Sequence, residues 1–298
     1  MSIIVQNISK TYQTLQAVDD VSFEVKRGEL FGLIGPDGAG KTTIFRILTT
    51  LLLPTNGQAK VLDFDVVNDY KSIRNSVGYM PGKFSLYQDL TVEENLQFFA
   101  TIFGTTIEEN YELIKDIYIQ IEPFKNRKAG ALSGGMKQKL ALCCALIHAP
   151  KVLFLDEPTT GVDPVSRKEF WQMLKRLQEK GITILVSTPY MDEASMCDRI
   201  ALIQKGKIQK IDSPTAIISK FDKSIFAVSA TNKHQLILDL KEYESIHSVY
   251  AFGEFLHYID QNKDFHPKDL KKYLNSKNHT SIEIQLTEPT IEDVFMDL

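Results

Sequence analysis

The first 220 residues alternate between short apolar runs and longer stretches in which apolar residues recur at helical spacing. Three of the runs, ELFGLIG (29–35), KVLFLDE (151–157) and ITILVS (182–187), are apolar throughout rather than at every second position. Such runs are typical of strands buried on both faces of a parallel sheet. The pattern therefore predicts an α/β fold in which helices cover a mostly parallel sheet.

Beyond a short helix and linker at 213–224 the pattern changes. The runs IFAVSA, HQLILDLK, SVYAF, FLHYID, HPKDLKKYL and SIEIQL predict strand, helix, strand, strand, helix and strand. That order is typical of a ferredoxin-like α+β module, and PTIEDVFMDL predicts a closing helix. We therefore expect a small accessory α+β domain over residues 221–298, after a first domain over residues 1–220.

Composition and charge narrow the classes of function. Lys and Arg number 34 against 38 Asp and Glu, and the formal net charge of −4 argues against nucleic-acid binding through a broad basic face. The longest apolar stretch, residues 140–147, is far shorter than the roughly 18–20 residues that cross a bilayer. The N-terminus has too few consecutive apolar residues for a signal peptide. We expect a cytoplasmic chain that meets a membrane only through a partner.

The chain has three cysteines, Cys143, Cys144 and Cys197. An odd number with two adjacent residues is a poor disulfide framework and indicates a reducing compartment. Cys144 and His148 have a spacing that can hold a metal on a helix. A zinc site needs about four ligands, so we expect these two residues to pack in the core instead.

A phosphate-binding loop is indicated by GPDGAGKTT at residues 35–43, between the strand-like ELFGLI and a helix-like stretch. The spacing is G-x-x-x-x-G-K-[ST] in the strand–loop–helix context that this motif requires. Its glycines let backbone N–H groups surround phosphates at a positive helix N-terminus. Lys41 is expected to reach the β- and γ-phosphates and Thr42 to bind Mg²⁺.

Two carboxylates follow the buried run VLFLDEP. Asp156, at the strand end, is expected to hold Mg²⁺, and Glu157 to polarise an attacking water as general base. A second helix start, LSGGMKQ at residues 132–138, has Ser133 as a natural cap and glycines that leave N–H groups exposed. One phosphate loop has no use for a second anion site in the same subunit. The arrangement makes sense if this helix caps a nucleotide held by another subunit.

Together, GPDGAGKTT, LSGGMKQ, VLFLDEP and TTGVDP resemble, in order and spacing, the motifs of an ATP-binding cassette (ABC) ATPase domain. The resemblance covers about residues 1–220 and implies a P-loop NTPase core with a helical subdomain at about 84–149. The tail EPTIEDVFMDL resembles the C-terminal extension of ABC exporter ATPases whose membrane permease is a separate chain. The family forms head-to-tail dimers that enclose two ATP molecules, so a homodimer or a heterodimer with a second ABC ATPase is implied.

The resemblance also implies a set of site residues. Lys41 and Glu157 are the expected catalytic residues, and Thr42 and Asp156 the expected Mg²⁺ ligands. The expected nucleotide-binding residues are Tyr12, Gly35, Pro36, Asp37, Gly38, Ala39, Gly40, Lys41, Thr42, Thr43, Ser133, Gly134, Gly135 and Asp163. Tyr12 matches the aromatic that stacks on adenine, but it is also compatible with an ordinary edge-strand tyrosine. Asp163 matches an aspartate of the dimer interface, and it can also cap the helix that begins at Pro164.

Two residues depart from the family pattern. Pro189 stands where a histidine usually contacts the γ-phosphate, with Thr188 and Tyr190 as imperfect substitutes. Gly82 stands where a glutamine usually contacts Mg²⁺ and the attacking water, with Lys83 and Gln88 nearby. Losing such a contact can lower the rate on the order of 10²–10³-fold.

We therefore expect the ATPase subunit of an ABC exporter, slow but active, bound to a permease through the face that includes Phe84, Leu86 and Tyr87. Internal packing is an equally plausible role for these three apolar side chains. The alternative function is a regulatory subunit that binds ATP with little hydrolysis. A soluble cassette acting on DNA or ribosomes is disfavoured because the chain has one cassette and no basic excess.

Overall fold

The computed structural model describes residues 1–262 and 264–298, which divide into two compact units, Met1–Pro214 and Thr215–Leu298. The strands of the first unit are β1 Ile3–Tyr12, β2 Leu15–Val25, β3 Leu30–Ile34, β4 Asn56–Val61, β5 Phe64–Asp65, β6 Val77–Met80, β7 Val152–Asp156, β8 Thr183–Thr188, β9 Arg199–Gln204 and β10 Lys207–Asp212. Its helices are α1 Lys41–Leu48, α2 Tyr70–Ser76, α3 Val92–Ile102, α4 Tyr111–Tyr118, α5 Gly134–Leu146 and α6 Pro164–Glu179, and α7 Pro214–Ser219 follows them.

The predicted parallel sheet is confirmed. Six strands lie in the order β10-β9-β3-β8-β7-β6, and all neighbours are parallel except the antiparallel pair β9 and β10. Strands β3, β7 and β8 are buried at every position, as their unbroken apolar runs predicted. The carboxyl ends of these parallel strands therefore lie along one edge, where ligands of α/β sheets bind.

A second sheet was not predicted from the sequence. It is antiparallel, with the order β2-β1-β4-β5. Its buried side chains share a core with α1 and the parallel sheet, and the rings of Phe23 and Phe31 stack at 5.6 Å across it. Register shifts against β2 interrupt the alternation of buried and exposed positions in β1.

The region between β6 and β7 is helical, with α3, α4 and α5 packed together. A capping box begins α3, because Thr91 and Glu94 each bind the other's backbone N–H. Cys144 is buried, and burial raises the pKa of its thiol. The ring of His148 stacks on Phe103 at 3.8 Å, with Nε2 3.1 Å from the carbonyl oxygen of Val77. Cys144 thus packs in the interior, and the half-buried His148 packs against Phe103.

The second unit contains β11 Ile225–Ser229, α8 Lys233–Lys241, β12 Ile246–Phe252, β13 Phe255–Asp260, α9 Pro267–Ser276, β14 Glu283–Thr287 and α10 Ile291–Met296. Its four strands form an antiparallel sheet with the order β12-β13-β11-β14. The predicted order of strands and helices is present, while the ferredoxin-like assignment and the boundary at residue 220 remain predictions. Within the described residues, no helix is long and apolar enough to cross a membrane.

A buried carboxylate attaches the closing helix α10 to the sheet of the second unit. Asp293 Oδ1 accepts a hydrogen bond from the Tyr250 hydroxyl at 2.6 Å and lies 2.5 Å from His257 Nδ1. Oδ2 accepts from the backbone and side chain of Thr290, both at 2.6 Å. Asp293 therefore both caps its own helix and joins it to β12 and β13.

Candidate active site

The phosphate loop, residues 35–43, connects the end of β3 to the start of α1. Gly40 has a φ of 104°, and a Cβ there would lie 2.5 Å from the carbonyl oxygen of Ala17. A Cβ at Gly35 would lie 2.1 Å from the carbonyl oxygen of Ile203. These two positions require glycine, so the loop lies close against its neighbours and leads directly into the N-terminus of α1.

Lys41 is the residue that joins the loop to the strand ends. Its ammonium group donates to the carbonyl oxygens of Gly35 at 2.7 Å and Pro36 at 2.9 Å. It also lies 3.1 Å from a carboxylate oxygen of Glu157. The structure thus brings together the lysine and the glutamate that the sequence predicted as catalytic, although 116 positions separate them along the chain.

The two carboxylates at the end of β7 are oriented by Ser187 on the neighbouring strand β8. The Ser187 hydroxyl donates to Asp156 Oδ1 at 2.6 Å and accepts from the Glu157 N–H at 3.0 Å. Glu157 has a φ of 51°, in the left-handed region that few residues with a Cβ adopt. The change of backbone direction at Glu157 separates the two side chains, so that of Asp156 is buried and that of Glu157 is more exposed. Sequence reasoning missed Ser187, which belongs to none of the motifs.

The residues predicted for Mg²⁺ are compatible with that ion. Asp156 offers a carboxylate and Thr42, in the first turn of α1, a hydroxyl, and Mg²⁺ prefers oxygen ligands. Helix α1 packs on β7, as the rings of Phe45 and Phe154 lie 6.1 Å apart. Burial and, secondly, the charge of Asp156 raise the pKa of Tyr79 to about 12. The site therefore combines hard oxygen donors with local negative charge.

Gly82 lies beside the Mg²⁺ candidate, where the family pattern places glutamine. A Cβ on Gly82 would lie 3.1 Å from the carbonyl oxygen of Asp156 and 3.8 Å from Oδ2. The two polar residues nearby in sequence lie in other surroundings. Lys83 is exposed, and Gln88 lies against Gly130, whose N–H donates to its carbonyl oxygen at 2.9 Å.

Pro189 directly follows β8, and both of its neighbours are engaged elsewhere. The Thr188 hydroxyl is buried and donates to Glu193 at 2.5 Å. The ring of Tyr190 lies 4.1 Å from the guanidinium carbon of Arg167. Sequence reasoning missed Arg167 on α6 and Glu193 in the short 3-10 helix Met191–Met196, because charged residues on helices are usually solvated.

The signature run, residues 132–138, begins helix α5. Ser133 is its N-cap and accepts from the N–H of Met136 at 3.4 Å, as predicted for a capping residue. A Cβ on Gly134 would lie 3.6 Å from the carbonyl oxygen of Gly161, and one on Gly135 3.1 Å from Ser166 Oγ. The signature glycines therefore lie close to the segment that precedes and begins α6.

Asp163 is the N-cap of α6 and accepts from the N–H groups of Val165 at 3.1 Å and Ser166 at 3.0 Å. The bond from Ser166 is the main cause of the lowered pKa of Asp163. Its capping role is thus present, and its interface role remains a prediction. Tyr12, at the end of β1, is 39% exposed, with Lys10 Nζ 5.5 Å from its ring centroid. An exposed ring is available for stacking, which also remains a prediction.

Comparison with known proteins agrees with this geometry. The family described as "ABC transporter" matches residues 18–160. A "Nod factor export ATP-binding protein I" of Rhizobium sp. (strain N33) is 33% identical over 302 residues, which cover 100% of this chain and 97% of that protein. The chain belongs to the ABC transporter family. A "Probable multidrug ABC transporter ATP-binding protein YbhF" of Escherichia coli (strain K12) is 45% identical over 211 residues. That match covers 70% of this ABC protein and only 36% of the relative.

Solved ABC cassettes share the fold. The ATP-binding cassette MJ0796, in a dimeric post-hydrolysis state bound to ADP and Pi, superposes with a TM-score of 0.64 and 27% identity, covering 71% of this chain and 98% of that one. The cbiO1 protein of Clostridium perfringens, part of the cbiONQ transporter complex, gives a TM-score of 0.66 and 25% identity, covering 74% and 91%. The predicted ABC ATPase fold is therefore confirmed.

Proposed function

We propose that this ABC protein is the ATP-hydrolysing subunit of an exporter and works at the cytoplasmic face of a membrane with a separate permease chain. The observation that carries the proposal is the 3.1 Å contact between Lys41 and Glu157. It brings a phosphate-binding loop and a candidate general base to one edge of the sheet. The name of one relative supports export, since it describes a Nod factor export protein, and the name of another describes a probable multidrug ABC transporter.

In this proposal each residue of the site has one task. The backbone N–H groups of residues 40–43, at the N-terminus of α1, and the ammonium group of Lys41 bind the phosphates and draw charge from the γ-phosphate as the bond to ADP breaks. Glu157 accepts a proton from the water that attacks the γ-phosphorus. Thr42 and Asp156 would hold Mg²⁺, which neutralises charge on the phosphate oxygens. Binding of phosphate requires Lys41 to exchange carbonyl partners for phosphate oxygens.

Dimerisation completes the proposed site. Ser133, Gly134 and Gly135 present N–H groups at the start of α5, a position suited to the γ-phosphate of a nucleotide held by a partner subunit. Asp163 lies on the segment next to the signature glycines and would contact the partner. Tyr12 would stack on adenine. The dimeric state of the MJ0796 cassette supports this arrangement; both a homodimer and a heterodimer are compatible with it.

A cavity of about 420 Å³ in the first unit is the proposed docking site for the permease. Residues of β6, α3 and α5, together with the half-buried Phe84, line it. Tyr87 is 51% exposed, with its ring 4.7 Å from that of Phe98 on α3. Leu86 is buried but lines the same cavity, whereas Tyr87 is not part of its lining. We therefore assign Phe84 and Leu86 to the cavity wall that meets the permease, and Tyr87 to contact as the exposed residue next to them in sequence.

The second candidate function is a nucleotide-gated regulatory subunit that binds ATP and hydrolyses little of it. Pro189 and Gly82 favour it, because neither offers a polar side chain at its place in the site. Glu157 opposes it, because a candidate general base is retained beside Lys41. The two functions differ in one measurable quantity, the release of phosphate.

Phosphate release by the full chain with Mg-ATP tests the proposal. We expect the wild type to hydrolyse ATP, and the Glu157→Gln variant to lose at least about 100-fold in kcat because a general base contributes that much. Glu157→Gln should still bind ATP, since the phosphate loop is unchanged. Lys41→Ala, the contrasting variant, should lose nucleotide affinity itself. ATP binding by the wild type with no more phosphate than Glu157→Gln releases would support the regulatory function instead.

A further inference from the structure

Residues 188–193, the last residue of β8 and the five residues after it, are held by protein contacts although Pro189 itself offers no hydrogen-bond donor. Thr188 Oγ1 accepts from the Tyr190 N–H at 3.0 Å while its hydroxyl donates to Glu193. The carbonyl oxygen of Thr188 accepts from the N–H of Gly35 at 3.2 Å. The position of this segment is therefore coupled directly to the first residue of the phosphate loop.

Glu193 connects this segment to two other parts of the site. It is 4% exposed, and its Oε2 accepts from the hydroxyls of Thr188 and Thr159, the latter at 3.1 Å. Thr159 lies two residues after Glu157. The other oxygen, Oε1, lies 3.1 Å from Nε of Arg167 on α6. A buried carboxylate needs such partners, because an unpaired charge in the interior is strongly unfavourable.

Arg167 supplies the positive charge of this cluster. Its side chain is only 20% exposed and also binds the carboxylate of Asp192 at 3.2 Å. Its guanidinium carbon lies 4.1 Å from the ring centroid of Tyr190, a cation–π contact. One side chain on α6 thus pairs with the buried Glu193 and covers the residue next to Pro189.

We propose that Arg167 is a positioning residue for ATP hydrolysis: it holds residues 188–193 against the phosphate loop, so that turnover proceeds without a polar side chain at position 189. The inference rests on the hydrolysis proposed above. Arg167 acts through Glu193 and Tyr190 and does not contact the phosphate loop. The physical reason is preorganisation, since a segment already fixed by its own protein contacts needs no phosphate contact to order it.

The decisive variant is Arg167→Met, which removes the charge and keeps much of the side-chain volume. It leaves Glu193 without its cation and Tyr190 uncovered. We expect kcat to fall at least about tenfold while the dissociation constant for a fluorescent ATP analogue changes less than about twofold. The affinity should persist because Lys41 and the loop amides are untouched. Both constants are measured on the full chain with Mg²⁺.

The matched control is Lys175→Met, on the same helix. Lys175 pairs with Asp198 at 3.1 Å, so this variant also removes a cation and an ion pair from α6. It should leave kcat unchanged. Arg167→Lys restores the charge without the planar guanidinium and should give an intermediate kcat.

A second pair of variants distinguishes the contribution of the Tyr190 ring to kcat from that of its hydroxyl group. Tyr190→Leu keeps the ion pair between Arg167 and Glu193 and removes the cation–π contact, so kcat should fall. Tyr190→Phe keeps the ring, and its kcat should exceed that of Tyr190→Leu by about fivefold or more, a difference large enough to separate the two roles. Equal losses in the two variants would instead assign the role to the hydroxyl and overturn the proposal.

Wild-type kcat in a folded Arg167→Met variant would also overturn it, as would a loss of nucleotide affinity equal to the loss of kcat. If Arg167→Met does not fold, Tyr190→Leu decides, and an unchanged kcat there rejects the positioning role. Phosphate release by the wild type that is no higher than that of Glu157→Gln would reject the proposed function, and with it this inference. Hydrolysis by the wild type with no effect of either substitution rejects the inference alone.

Discussion

Pro189 departs from the family pattern at the end of β8 and leaves the backbone contacts around it in place. It directly follows β8, whose last carbonyl group accepts from the N–H of Gly35 in the phosphate loop. Position 189 therefore directly follows a residue that is hydrogen-bonded to the phosphate loop. The backbone continues normally, because Thr188 and Glu193 hold it. What is missing is a polar side chain, and we expect its absence to affect the rate of turnover more than nucleotide binding.

Pro189→His should therefore raise kcat of the full chain by about tenfold, since a positioned transition-state contact is commonly worth that much or more. Nucleotide affinity should change little. The matched control is Pro189→Ala, which removes the ring without adding a polar group. Equal kcat values for the histidine and alanine variants, measured as phosphate release, would contradict this prediction.

At the scale of elements, the turn after β6 explains why Gly82 is more than a missing glutamine. The turn approaches the end of β7 so closely that a Cβ on Gly82 would lie 3.1 Å from the carbonyl oxygen of Asp156. That distance is tight for a backbone neighbour, so a larger residue requires the turn to shift. The close approach joins residues 74 positions apart, and no local pattern in the sequence reports it.

Gly82→Gln should accordingly fail to raise kcat, although it restores the residue type of the family pattern. Gly82→Ala, the matched control, adds only the Cβ. Both variants should lower the melting temperature by similar amounts, because both displace the turn. Thermal unfolding and phosphate release are measured on both. A kcat of Gly82→Gln well above that of Gly82→Ala would show that the turn accepts the side chain.

At the scale of the whole molecule, the chain consists of two units with separate cores. The proposed ATPase chemistry lies in the first. The second has its own buried polar network around Asp293, which attaches α10 to its sheet. Burial alone would raise the pKa of Asp293, but hydrogen bonds from His257, Thr290 and Tyr250 outweigh it and lower that pKa. The ionised carboxylate therefore stabilises the second unit.

Asp293→Asn should lower the free energy of unfolding of the second unit by about 2 kcal/mol at neutral pH, because it loses hydrogen bonds to a charged acceptor. Because the pKa of Asp293 is lower in the folded protein, its contribution to stability is fully present above the pKa of an unfolded aspartate, about 3.9. That contribution is lost as pH falls through the pKa of the folded state. The variant should lack this acid dependence. Urea unfolding of the wild type and the variant between neutral and acidic pH measures this acid dependence. The control is Glu254→Gln, in the exposed turn between β12 and β13. Identical pH profiles for the wild type and Asp293→Asn would contradict the assignment.

Prediction from the sequence succeeded where the relevant information is local. The strands β3, β7 and β8 were visible as apolar runs, because a strand buried on both faces needs no polar positions. The cap of α5 at Ser133 was visible because capping uses residues a few positions apart. The antiparallel sheet was missed because register shifts in β1, such as the one after Val5, break the period of two.

The sequence by itself determined the phosphate loop, the carboxylates at the end of β7 and the family, because each rests on contiguous residues whose backbone geometry is local. Only the tertiary structure decided that Lys41 meets Glu157, that Gly82 approaches Asp156, and that Arg167 reaches Glu193. Those contacts join residues between 26 and 116 positions apart. Strand order and helix packing create them, and a linear pattern contains neither.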